Sequence, residues 1–140
     1  MKPIKILLVE DNEGDIVLTC DALEDCRIVN EVTVIRDGES AINFFKNLKD
    51  KDSRPDLVLL DINLPKKNGI EVLIFLKNNE TYKQMPVIML TTSSSEKDIT
   101  LSYKNYANCY ITKPIEVAEF MEAITKIEEF WFNIVTIPQR

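Results

Sequence analysis

The chain has 140 residues, enough for one compact domain, with 17 Lys+Arg against 23 Asp+Glu, a formal charge of −6 and no histidine. The missing histidine excludes a Ser-His-Asp triad, a Cys-His pair, a His-ligated zinc site and a histidine phosphocarrier. The acidic balance argues against nucleic-acid binding, which draws its affinity from Lys/Arg on phosphates.

In chain order, Ile4 to Val9 (IKILLV) predicts a strand buried on both faces, and nothing in the Met1 to Lys5 start resembles a signal peptide. Ile16, Cys20 and Leu23 then recur at helical spacing. Val32 to Ile35 is a shorter strand, followed by a second helical stripe at Ile42, Phe45 and Leu48. The polar stretch Lys49 to Arg54 reads as a solvated loop before the strand Leu57 to Leu60 (LVLL). Leu73 and Leu76 mark a third helix, and Val87 to Leu90 (VIML) a fourth strand. Ser95 with Asp98 resembles a capping pair opening a helix with Ile99, Tyr103 and Tyr106 on one side. Tyr110-Ile111 is the fifth strand, and Val117, Phe120, Ile124, Ile127 and Trp131 stripe the last helix.

This alternation predicts an α/β fold: a doubly wound, five-stranded parallel sheet with five helices, in a single domain over 1–140 with 134–140 as a short tail. No apolar run reaches the roughly 20 residues of a membrane-crossing helix. Cys20, Cys26 and Cys109 form no Cys-x-x-Cys pair and read as free, half-buried thiols in a reducing cytoplasm.

In such sheets, chemistry gathers beyond the carboxyl ends of the strands. Glu10 and Asp11 follow the first strand, Asp61 the third, Thr91 the fourth, and Lys113-Pro114 the fifth. Three converging carboxylates repel one another by several kcal/mol at an effective dielectric near 20. Lys113 is insufficient as a counterion, so a hard divalent cation with oxygen ligands, Mg²⁺, is expected. A metal, a fixed ammonium and a hydroxyl together suit a phosphoryl group, whose charge is spread over three oxygens. A central carboxylate is then a nucleophile forming an aspartyl phosphate, and Asp61 is the best placed. Singly, each feature has a plainer reading: a solvated acidic pair, a turn aspartate, a helix cap, an exposed Lys-Pro turn. Their conjunction along one sheet edge carries the weight.

These residues resemble the receiver domains of two-component response regulators. The resemblance runs from Lys5 to about Glu129 and rests on ILLVEDN (Ile6 to Asn12), LVLLDINLPKKNG (Leu57 to Gly69), PVIMLTT (Pro86 to Thr92) and YITKP (Tyr110 to Pro114). It implies the flavodoxin-like fold of that family, with Asp61 as phosphoacceptor. Asp11 and Asp61 would bind Mg²⁺ directly, Glu10 directly or through water, and the Asn63 backbone carbonyl would complete the protein's share of the shell. Thr91 would be the switch hydroxyl, Lys113 the phosphate-binding lysine joined to Pro114 by a cis bond, and Tyr110 the aromatic switch residue. Glu10 stands where many members have Asp, and Thr92 where a small residue is common.

A finer resemblance, in EDNEGD (Glu10 to Asp15), TTSSSEKDI (Thr91 to Ile99), YANCYITKP and the late FWF (Phe130 to Phe132), points to the stand-alone receivers associated with phytochrome-type histidine kinases. The expected function is therefore a phosphoacceptor switch, not an enzyme acting on other substrates, that takes a phosphoryl group from a sensor histidine kinase in the cytoplasm. With no effector segment in the sequence, output is expected through protein contacts with a downstream partner that the sequence does not name. Phe130 and Phe132, flanking Trp131, suggest a homodimer through the last helix and the switching face. An intermediate phosphate carrier or sink is the alternative reading. An Asp-nucleophile phosphohydrolase fits less well, because such enzymes carry a second Asp two positions on, where this chain has Asn63.

Overall fold

The computed structural model describes residues 3–26, 29–92 and 95–123. Five strands, β1 (Ile4–Val9), β2 (Asn30–Ile35), β3 (Leu57–Leu60), β4 (Val87–Thr91) and β5 (Cys109–Thr112), form one sheet in the order β2-β1-β3-β4-β5. Every pairing is parallel. The helices between them are α1 (Glu13–Glu24), α2 (Gly38–Asn47), α3 (Gly69–Lys77) and α4 (Glu96–Lys104). A fifth, α5, is described over 117–123. Ile124, Ile127, Phe130, Trp131, Phe132 and the 134–140 tail lie outside the described residues. No helix among the described residues is long and apolar enough to cross a membrane.

The two faces of the sheet explain why the central strands carry runs of consecutive apolar residues. Leu7, Val9, Val58, Leu60, Val87 and Met89 point to one side, where they pack with Phe45 of α2 and with Val72, Leu73 and Leu76 of α3. Ile6, Leu8, Leu57, Leu59, Ile88 and Leu90 point to the other, where they meet Ile16 and Leu23 of α1 and Phe120 and Ala123 of α5. Successive strand side chains alternate faces, so burial on both faces needs consecutive apolar residues. Cys20, Cys26 and Cys109 form no disulfide and are half-buried.

Polar side chains start the helices. Asn12 Oδ1 accepts from Asp15 N–H at 2.9 Å, and Asp37 Oδ1 from Ser40 N–H at 2.7 Å. Asn68 and Glu71 form a reciprocal capping box at α3, with both bonds at 3.0 Å. Ser95 Oγ accepts from Asp98 N–H at 3.2 Å, the cap expected for α4. Each such cap satisfies a main-chain donor that the first helical turn leaves without a partner.

Two expectations are corrected. The stretch Lys49 to Arg54 is not all loop, since Lys51–Ser53 winds into a 3₁₀ turn capped by Asp50. Ile99, Tyr103 and Tyr106 do not share one side of a helix. α4 stops at Lys104, Tyr106 adopts φ 69° beyond it, and both tyrosines are exposed. The residue α4 buries is Ser102, whose hydroxyl donates to Asp98 O at 2.7 Å.

Candidate functional site

Strand register decides which side chains meet at the carboxyl edge. Val9 pairs with Leu60, so Glu10 and Asp61 fall level at the next step. Asp61 N–H donates to Val9 O at 3.0 Å, holding that alignment past the end of β3. Leu60 pairs with Met89 and Thr91 with Thr112. Thr91 therefore stands one residue beyond the level of Asp61, and Lys113 one beyond Thr91. Lys113 N–H donates to Thr91 O at 2.7 Å, and the Lys113-Pro114 peptide is cis, as the resemblance implies.

The acidic residues converge. Carboxylate oxygens of Glu10, Asp11 and Asp61 all lie within 4.8 Å of one another, with Glu10 and Asp61 buried and Asp11 exposed at the rim. The Lys113 ammonium enters the same space. Its side chain is 5% exposed, and it bonds Glu10 Oε1, Asp15 Oδ2 at 2.9 Å and Asp61 Oδ2 at 3.4 Å. One positive charge thus serves three carboxylates, with Asp11 a fourth nearby.

The electrostatics follow from that imbalance. Burial pushes the Glu10 carboxyl up to about 7, against the pull of its bond to Lys113, and the Asp61 carboxylate adds to the rise. Burial acts to lower Lys113, but the bonds to Glu10 and Asp15 and the charge of Asp61 more than offset it, so the ammonium is held above its usual range. Excess negative charge, an all-oxygen donor set and one ligand open to solvent fit a hard divalent cation such as Mg²⁺.

The chain after Asp61 is fixed by the main chain. Asn63 N–H donates to Asp61 Oδ1 at 3.4 Å, and Gly69 N–H to Ile62 O at 2.8 Å. Lys66 takes φ 69°, the left-handed conformation that turns the chain toward α3. Two glycines close on this segment. A Cβ on Gly69 would stand 2.0 Å from Asp61 O, and one on Gly38 would stand 1.8 Å from Lys67 O. Thr91 is fully buried at the end of β4, and Tyr110 is half-buried in β5 against the core beneath α2 and α3.

The model of the response regulator receiver domain matches residues 6–125. The chain belongs to the response regulator receiver domain family. It is similar to the response regulator Rcp1 of Synechocystis sp., with 41% identity over 97% of this chain and 94% of Rcp1. The phosphorylated cyanobacterial phytochrome response regulator RcpA superposes with a TM-score of 0.77 at 44% identity, over 99% of this chain and all of RcpA. The Mn²⁺-bound form of Rcp1 does so with a TM-score of 0.74 at 41% identity, over 98% of this chain and 100% of that structure. The bacteriophytochrome response regulator AtBRR does so at 0.81 and 40%, over 94% and 96%. This receiver is a response regulator in phosphorylation-dependent two-component signalling, and that family membership implies a sensor histidine kinase as its partner.

Glu10, Asp11, Asp61 and Lys113 meet at this one edge, where Thr91 ends β4; Tyr110 lies inside the sheet, level with Met89 and Leu60. The interface residues Phe130 and Phe132 are outside the described range. One participant was not foreseen: Asp15, in the first turn of α1, bonds Lys113. The signal was the fourth acid of EDNEGD, which Asn12, as cap, turns back toward the sheet edge.

Proposed function

We propose that Asp61 is the phosphoacceptor of this receiver. Glu10, Asp11, Asp61 and the Asn63 carbonyl would hold Mg²⁺, which supplies positive charge to the phosphoryl oxygens when bound. An Asp61 oxygen attacks the phosphorus of a kinase phosphohistidine in line, forming a P–O bond as the P–N bond breaks. Lys113, already bonded to Asp61, is in reach of a phosphoryl oxygen and offsets its charge. The Thr91 hydroxyl donates to another, and Tyr110 repacks behind it, so a charge added at the edge biases the α4–β5–α5 face between two arrangements.

The observation that carries this reading is the convergence of Lys113 on Glu10, Asp15 and Asp61, which joins the ends of β1, β3 and β5 in one polar cluster. The test is transfer from a purified, phosphorylated phytochrome-type histidine kinase, followed by mass spectrometry of the receiver. Asp61→Asn abolishes labelling while the far-ultraviolet circular dichroism is kept. Phosphate transferred to another residue in that variant refutes the assignment.

We further infer that the whole chain is one receiver domain, that it works in the cytoplasm, whose reducing conditions suit three cysteines that form no disulfide, and that it acts as a switch rather than on other substrates. Its donor is taken to be phytochrome-type, on the strength of the resemblance to Rcp1 and RcpA. Its output is proposed as a homodimer through the last helix and the α4–β5 face, where Tyr103 is exposed beside the strand. Light scattering that returns only monomer, with and without beryllofluoride, refutes the dimer.

A further inference from the structure

The opposite edge of the sheet carries a second reactive arrangement. Lys77 is the last residue of α3, Met85 lies just before β4, and Asn108 just before β5. Here a pocket of about 390 Å³ is lined by Lys77, Lys83, Gln84, Tyr106 and Asn108. That volume falls in the range of small-molecule sites, roughly 300–1,000 Å³. Its ionisable lining is two amines and a phenol, with no acid.

The Lys77 nitrogen is placed unusually for a lysine. It donates to Met85 O at 2.7 Å and Lys83 O at 3.2 Å. Among the described residues no carboxylate pairs with it. The nearby acid, Glu80, is paired to Lys83 at 3.1 Å. A neutral amine has two N–H bonds and one lone pair. The two carbonyls take two positions on the nitrogen, and the third, a proton in the ammonium and the lone pair in the neutral amine, has no hydrogen-bond partner among the described residues. Burial lowers the group to about 8, so roughly a tenth of it is neutral at pH 7.

We propose that Lys77 is an acylation site, a nucleophilic amine held in this pocket that takes the acyl group of a small acyl phosphate. The lone pair forms a C–N bond to the acyl carbon. The C–O bond to phosphate breaks, phosphate leaves with the electron pair, and the surplus proton on nitrogen passes to solvent. The donor class follows from charge, since an anionic phosphate meets the Lys83 ammonium at the same pocket. The product is a neutral amide whose one N–H retains a main-chain acceptor, so the modification removes a half-buried charge instead of adding one.

The test is competitive labelling of the full chain with limiting acetyl phosphate at pH 8, in EDTA, read residue by residue by peptide mass spectrometry. At that pH about half of Lys77 is neutral, against roughly 0.4% of an ordinary lysine. A Brønsted slope of about 0.4–0.5, as for thiolates, returns about tenfold of that advantage. Lys77 is therefore expected to react about tenfold faster than the exposed Lys46, Lys66 and Lys67, and the preference is expected to vanish in 8 M urea. A Lys77 rate no greater than theirs, or an equal preference in urea, overturns the proposal. Lys83→Gln lowers the ratio of the acetyl phosphate rate to the acetic anhydride rate at Lys77, and an unchanged ratio overturns the choice of donor.

Discussion

Gly69→Ala tests the link between packing and the phosphorylation edge. The added Cβ would stand 2.0 Å from Asp61 O and 2.8 Å from both Asp61 C and Ile62 Cα. An ordinary C···O contact is roughly 3.3 Å or more, so α3 and the end of β3 must separate by about 1.3 Å. All three contacts are main chain, so no side chain can swing aside. Overpacking of this kind costs about 1–3 kcal/mol, and the 2.8 Å bond from Gly69 N–H to Ile62 O is strained with it. We expect a loss of about 3 kcal/mol in urea unfolding, which for a domain of this size lowers the melting temperature by about 10 °C. Because the displaced atoms belong to Asp61 and Ile62, Mg²⁺ affinity measured by calorimetry falls as well. Gly14→Ala is the control: its Cβ would meet only Asn12 Oδ1 at 3.3 Å, and its stability should stay within about 0.5 kcal/mol of the parent. A Gly69→Ala protein within that same margin refutes the reasoning.

Other outcomes are expected. Asn68→Ala removes the capping box of α3 and costs about 1 kcal/mol in denaturant unfolding. Tyr82→Phe deletes the buried bond from the Tyr82 hydroxyl to Phe45 O, 3.0 Å long, and costs about 1–2 kcal/mol by the same assay. Adding Mg²⁺ at ten times its dissociation constant raises stability by about 1.4 kcal/mol; Asp61→Asn reduces that gain, and EDTA abolishes it. The folded-state pKa of Lys77, about 8, is below that of an unfolded lysine, so its charged form is penalised by folding. The penalty is full below pH 8 and disappears as pH rises toward about 10.4. Discounted for partial exposure, wild type should gain about 1–2 kcal/mol on Lys77→Gln across that window, and a flat difference in unfolding free energy contradicts it.

What could be read from the sequence follows from where each residue sits. β1, β3 and β4 are flanked by helices on both faces, so ILLV of β1, LVLL and VIML announce themselves as uninterrupted apolar runs. β2 is an edge strand, and its start at Asn30 and Glu31 is polar because one side meets water. The site edge was legible because a parallel sheet sends every strand's carboxyl end the same way. Asp15 was not, because its approach to Lys113 depends on the phase at which α1 leaves its cap. Tyr106 misled because helical spacing continues past Lys104 while the backbone does not. The placement of Lys77 left no trace in the sequence, since its nitrogen is held by main-chain carbonyls.

The turn joining Asp61 to α3 is gripped from two sides, by Gly38 against Lys67 and by Gly69 against Asp61. Neither neighbour leaves room for a single extra carbon, so an inserted residue in that turn would pry apart the faces it bridges. Engineers seeking to splice a reporter or a sensing module into this protein should leave 62–68 intact. The exposed stretch around Lys49–Ser53, which starts no catalytic strand end, is the better place to open the chain.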